Sequence, residues 1–259
     1  MTEDQHPFKY GKTEATHDPR TLAFVDFVEP VAGAQLKLAS PGFGIARLRL
    51  FNDWGMLGND KYGDCGWAGA CHEHELWTML GGNPATFTEA DALEAYSECT
   101  GFNPNDPSTD KGTDMRLEMN FRRNTGIQDS TGKTHKIGGY CALEPGNWTQ
   151  LLQALYVGDA VAIGTAVPRS AEEQFANGRK WSVVSNSPIM GYHYVPCVAR
   201  PGQLSVDVIT WGKVQGVTQG FYTKYSDEAY MMFSEETMIN GKSPEGFDLA
   251  QFAEALKEI

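Results

Sequence analysis

Apolar side chains recur at helical spacing in four stretches between residues 65 and 158, and in short unbroken runs after residue 159. Ala68, Cys71, Leu76, Met79 and Leu80 predict a helix that opens at Cys65 and stops at Gly81-Gly82. Leu93, Tyr96 and Cys99 predict a second, capped at Thr88 and ended by Gly101. Leu117 and Phe121, four apart, place a third over 114–124. Asn147 caps a fourth, bearing Leu151, Leu152 and Leu155, which Gly158-Asp159 turns. Strand patterns follow at 160–166, 191–200 and 204–211, with a turn at Pro201-Gly202 between the last two. The run 222–233 fits helix and strand equally. Asp248-Leu249-Ala250-Gln251 resembles a capping box, and Leu249, Phe252, Ala253 and Leu256 give a closing helix one apolar stripe.

Residues 1–50 read differently. Pro7, Pro19, Pro30 and Pro41 punctuate them, with only short apolar patches between. Such an arm has no core of its own, so it packs along the body or reaches to another subunit. The remainder, 51–259, reads as one α+β unit of two lobes. The helical lobe covers about 51–158 and the antiparallel β-rich lobe about 159–259.

A formal charge of −12 without any basic run interleaved with aromatics argues against nucleic-acid binding and against approach to anionic lipid. Met1-Thr2-Glu3-Asp4-Gln5-His6 has neither the basic nor the apolar region of a signal peptide, and no apolar run reaches the length of a membrane span. Synthesis in the cytoplasm is the expectation. The five cysteines form an odd set among apolar neighbours; Cys71, Cys99, Cys141 and Cys197 read as structural thiols in a reducing compartment.

Candidate chemistry concentrates at two places. Gly63-Asp64-Cys65-Gly66 puts a thiol in a glycine-flanked turn that opens a helix, where unpaired N–H groups and the macrodipole favour a thiolate. The expectation is an exposed thiol at a cleft. Far downstream, Gly191-Tyr192-His193-Tyr194-Val195 supplies a base that would take the Cys65 proton and return it to a leaving amine. Asn59, six residues before Cys65, could place its NH2 on a developing oxyanion, or serve only as a turn residue. A third group should orient His193: Thr210 and Asp207 are both candidates, while Ile209 cannot accept a hydrogen bond and Trp211 would shield the pair. His72-Glu73-His74-Glu75 is not a metal motif, because residues two apart on a helix point in nearly opposite directions. Neither metal nor cofactor is expected.

With these residues the chain resembles the papain-like cysteine peptidases over Gly58–Leu80 and Gly191–Gly212, and more loosely over Phe221–Phe233. The resemblance implies a two-lobed fold with Cys65 as nucleophile, His193 as base and Asn59 at the oxyanion position. Two departures are visible: Ile209-Thr210-Trp211-Gly212 lacks the orienting asparagine, and Trp67 is separated from the nucleophile by Gly66. The chain is also similar to papain-like proteins of actinobacterial phages and related bacterial genomes. That likeness rests on His17-Asp18-Pro19-Arg20-Thr21-Leu22, the Leu57-to-Cys65 block, and the run from Trp211-Gly212 to Tyr225-Ser226-Asp227-Glu228-Ala229-Tyr230. It implies one of two roles. The first is a thiol protease acting on peptide or isopeptide bonds through an acyl-cysteine. The second is a bacteriophage virion protein, a capsid decoration or tail-associated subunit, that keeps the fold with a weakened site. The partners expected are accordingly a peptide-like substrate or other virion subunits, with a possible oligomer through the arm.

Overall fold

The structure, a computed structural model, describes residues 8–28, 37–234 and 236–237. The closing helix expected at 248–256 lies outside them. Two short helices, α1 (Phe24–Val28) and α2 (Ile45–Leu48), interrupt the arm. The helical part follows with α3 (Cys65–Leu80), α4 (Glu89–Thr100) and α5 (Met115–Asn124). A two-stranded hairpin, β1 (Ile127–Gln128) and β2 (Thr134–His135), and strand β3 (Ile137–Ala142) lead to α6 (Trp148–Gly158) and β4 (Val161–Pro168). The chain continues through α7 (Arg169–Ala176), β5 (Ile189–Gly202), β6 (Ser205–Thr210), β7 (Lys213–Thr218), α8 (Gln219–Tyr225) and β8 (Ser226–Ser234). The ambiguous run 222–233 is both elements in turn, the end of α8 and most of β8.

Local chemistry accounts for the helix starts. Thr88 and Asp91 form a reciprocal capping box at α4. The Asp114 side chain accepts from the Arg116 and Leu117 N–H groups, and the Asn147 side chain from Gln150. Helix α3 departs from the one-striped helix its spacing predicts. It is buried on every face, His72, Glu73 and His74 included, because α4 and α5 cover one side and the sheet the other.

Six strands form one antiparallel sheet in the order β3-β8-β4-β5-β6-β7. β3 comes from the stretch assigned above to the helical lobe, yet it pairs with β8. The turn between β5 and β6 is Gln203-Leu204, two residues beyond the expected Pro201-Gly202, since Gly202 pairs with Ser205. A second two-residue turn, Trp211-Gly212, joins β6 to β7, with Thr210 paired to Lys213. Both turn residues have positive φ, 46° and 71°, as a type I′ hairpin requires. Such a backbone is unusual for tryptophan.

Cys65 belongs to the apolar cluster between α3, α5 and the sheet, with Leu76, Trp77, Met115, Met119, Tyr194 and Val198. The nucleophile candidate therefore stands at the seam between the helices and the strands. Residues 8–28 lie along the body of the same chain: Lys12 bridges Thr113 and Ala23 bridges Ala142, both in parallel register.

Candidate active site

Cys65 is the first residue of α3, and the helix start carries no side-chain cap. The Tyr194 N–H donates to Cys65 Sγ at 3.4 Å, which places the strand carrying His193 directly against the thiol. Cys65, His193 and Asn59 line one small cavity together with Tyr194, Thr210 and Trp211. Two residues remote in sequence and the upstream amide thus converge.

The His193 ring is held on two sides. Its Nε2 lies 2.7 Å from Thr210 Oγ1, and its face stacks on Trp211 with centroids 4.7 Å apart and planes 22° apart. The left-handed turn that carries Trp211 is what brings the indole over the imidazole. The other nitrogen, Nδ1, is buried without a hydrogen-bond partner. Of the two orienting candidates, Thr210 is the one that touches the ring. Asp207 does not: it pairs across the sheet with Ala199, six residues along β5 from His193, a separation of roughly 20 Å at strand rise. Register along β5 decides reach. Asn59 is buried and donates from Nδ2 to the Tyr62 carbonyl at 3.2 Å, so one amide N–H serves the turn.

The exposed thiol expected from the glycine-flanked turn is not found; Cys65 and His193 are 2% and 1% exposed. The physical reason is the arm. Gly11 passes beside the thiol, its N–H lowering the Cys65 pKa, and the Gly11 carbonyl accepts from the Thr113 N–H at 2.7 Å. Lys12 N–H donates to the Tyr192 carbonyl at 3.3 Å, and Thr13 N–H to the Thr113 carbonyl at 3.1 Å. The Tyr10 ring meets the edge of His193 at 5.9 Å, its hydroxyl bonds Glu172, and Trp211 Nε1–H donates to the Lys9 carbonyl. Residues 9–13 form a roof of backbone hydrogen bonds over the thiol.

Burial sets the electrostatics. It pushes the Cys65 thiol up to about 12, against the pull of the Tyr194 and Gly11 N–H groups, with the Asp64 and Glu118 carboxyls adding to the rise. It holds the His193 imidazole down to about 3. With the arm seated, both groups are neutral at pH 7, where the sequence alone pointed to a thiolate. All five cysteines are free, and Cys99 is only half-buried.

Sequence reasoning missed four participants. Tyr194 presents its backbone N–H to the sulfur, while its hydroxyl donates to Glu73 on α3 at 3.0 Å. Arg122 is wholly buried between Glu73 and Glu118, at 2.8 and 3.3 Å. Gly11 and Lys12 enter the cleft from the arm, and a glycine between tyrosine and lysine in a proline-punctuated stretch is a faint trace of that close approach. The His-Glu-His-Glu run is dispersed: His72 Nε2 meets the Trp54 carbonyl, Glu73 meets Arg122, and His74 packs among Trp77, Phe87 and His135.

No protein-family model matches the sequence, and no curated protein does. Solved structures do match in fold. Xylellain, a cysteine protease from Xylella fastidiosa, superposes with a TM-score of 0.64 at 13% identity, covering 90% of this chain and 98% of that one. Procathepsin B S9 from Trypanosoma congolense gives 0.60 at 14%, covering 86% and 87%. The Carica candamarcensis cysteine protease CMS1MS2 gives 0.51 at 14%, covering 70% and 96%. The fold is that of the papain-like cysteine proteases, α+β with a helical part and an antiparallel sheet.

Proposed function

We propose that the chain is a thiol hydrolase of peptide or isopeptide bonds that works through an acyl-Cys65 intermediate. The convergence of Cys65, His193 and Asn59 on one cavity carries this reading. His193 takes the Sγ proton on Nδ1, since Nε2 is engaged by Thr210. The thiolate attacks the carbonyl carbon, and the negative oxygen is received by the Cys65 N–H and the Asn59 amide. His193 then protonates the leaving amine, which departs as the thioester forms. A water molecule, deprotonated by the same ring, hydrolyses the thioester and regenerates the thiol.

Residues 9–13 keep this machinery latent in the state described. A peptide poised for cleavage presents a carbonyl carbon to the sulfur, whereas the arm turns the Gly11 N–H toward it. Activity requires the arm to leave. The test is cleavage of a denatured protein pool by the full chain carrying Gly11→Ala, with Cys65→Ala as its control. New amino termini that disappear with Cys65→Ala support the hydrolase; identical products from both variants contradict it. The closed cleft also suits the second reading, a capsid decoration or tail-associated subunit of a phage that keeps the fold without turnover. Stoichiometric presence on purified particles, with no thiol-dependent cleavage, favours that alternative.

A further inference from the structure

Lys12 is the most completely buried cation of the arm, and its partners lie in the wall of the cleft. Its side chain is fully enclosed, with Nζ 2.7 Å from both Asp227 Oδ2 and Glu228 Oε1 at the start of β8. Nζ also donates to the Thr13 carbonyl at 2.9 Å and lies 5.4 Å from the Tyr192 ring centre. The stem passes over Gly164 on β4, where a Cβ would stand 2.2 Å from Lys12 Cε. Tyr230 donates its hydroxyl to Glu228 Oε2 at 2.8 Å and so fixes the carboxylate. The enclosure is thus a slot with a glycine floor, an aromatic side and two carboxylates at its end. Its mouth is one residue from the position that faces the thiol, because Lys12 N–H binds the Tyr192 carbonyl next to His193.

We infer that this slot is a specificity pocket for a lysine or arginine side chain of the substrate, and that Lys12 fills it in the latent state as an internal stand-in. The inference rests on the hydrolase reading and adds the substrate class to it. Charge complementarity is the reason. When Lys12 leaves, two carboxylates remain in a half-closed slot, and only a cation on an unbranched stem restores their pairing while fitting over Gly164. Asp227 Oδ1 is buried without a hydrogen-bond partner, so a guanidinium, which carries five donors, finds an acceptor there as well. A neutral side chain of equal length would fill the space and leave the carboxylates unpaired; an acidic one would be repelled.

The test uses the full chain with Lys12→Ala in the Gly11→Ala background, so that the roof is lifted, the slot is empty and its walls are intact. Short peptides ending in a thiol-reactive electrophile would carry Lys, Arg, norleucine or Glu at either of the two residues before it. The readout is the second-order rate of Cys65 labelling. The Lys and Arg probes should label at least about ten-fold faster than norleucine, with Glu slowest, and Asp227→Asn with Glu228→Gln should erase the order. Equal rates for Lys and norleucine overturn the pocket while sparing the hydrolase, and reduce the ion pairs to an anchor for the arm. Failure of every probe overturns the hydrolase reading, and the specificity role with it. n-Butylammonium, the lysine side chain alone, separates that outcome from misfolding: it should raise the Tm of Lys12→Ala more than that of the parent, and no such rise counts against the slot.

Discussion

Gly11 of the arm sits against the Gly63 turn, two residues before Cys65, and its N–H is near enough to draw the thiol pKa down, so the chain closes its own cleft with a backbone donor where a substrate would present a carbonyl. The contact is tight enough that the arm has one way to fit. A Cβ on Gly11 would stand 1.7 Å from the Gly63 carbonyl oxygen. The Gly63 turn cannot yield to it, since its N–H is fastened to the Asp110 carboxylate at 3.0 and 3.1 Å, and Tyr96 braces Asp110 at 2.8 Å. A single methyl group at residue 11 should therefore lift the roof and leave the catalytic side chains untouched.

The protonation of His193 reports the roof directly. Burial holds the imidazole down to about 3, against about 6.5 for an open ring. Proton NMR of the ring should show no titration between pH 8 and 5 in the parent, and a midpoint that climbs toward 6.5 in Gly11→Ala. The depressed value also means that the unfolded chain binds the extra proton first. His193 consequently lowers stability as pH falls from about 6.5 toward 3.

Thr210 orients the ring through a hydroxyl that both donates and accepts, so it holds the position of His193 without choosing the tautomer. Thr210→Val leaves Nε2 buried and unpaired, at about 1–3 kcal/mol. In the Gly11→Ala background it should slow Cys65 alkylation several-fold. Thr210→Asn, whose amide can accept from Nε2, should restore or exceed the parental rate. Equal rates in all three proteins would remove Thr210 from the site.

The buried Glu73–Arg122–Glu118 cluster gives a pH dependence of opposite sign. Desolvation raises Glu118 to about 8 despite Arg122, from an ordinary value near 4.5. The folded chain then holds a proton that the unfolded chain releases, so this contribution is full below about 4.5 and is lost as pH rises through 8. Glu118→Gln should match the parent near pH 4.5 and exceed it at pH 9, read as the difference in urea midpoints. Arg122→Leu should cost about 3–5 kcal/mol at pH 8, because it strands two buried carboxyls.

The helix caps at Thr88 and Asn147 were readable because each is a local event, decided within three residues. Motif chemistry set Cys65 against His193, and the two line one cavity. Register was not readable: nothing near Asp207 shows that it pairs with Ala199, far along β5 from the ring. Strand β7 and helix α7 were missed because mixed polar runs carry no clear period. The roof was missed for a deeper reason. Residues 9–13 have no pattern of their own, and their conformation comes wholly from the edges they bind at Thr113 and Tyr192.

In the proposed hydrolase, His193 activates Cys65 and the arm silences it. Mass-resolved alkylation of Cys65 at pH 7.4 tests it in three full-length proteins: parent, Gly11→Ala, and Gly11→Ala with His193→Ala. Returning the thiol from about 12 to its ordinary value near 9 increases the thiolate about 10³-fold, and the imidazole should add to that. A slow parent, a fast Gly11→Ala protein, and loss of much of the gain without His193 are expected. A Gly11→Ala thiol no faster than the parent, or one indifferent to His193, would contradict the proposal.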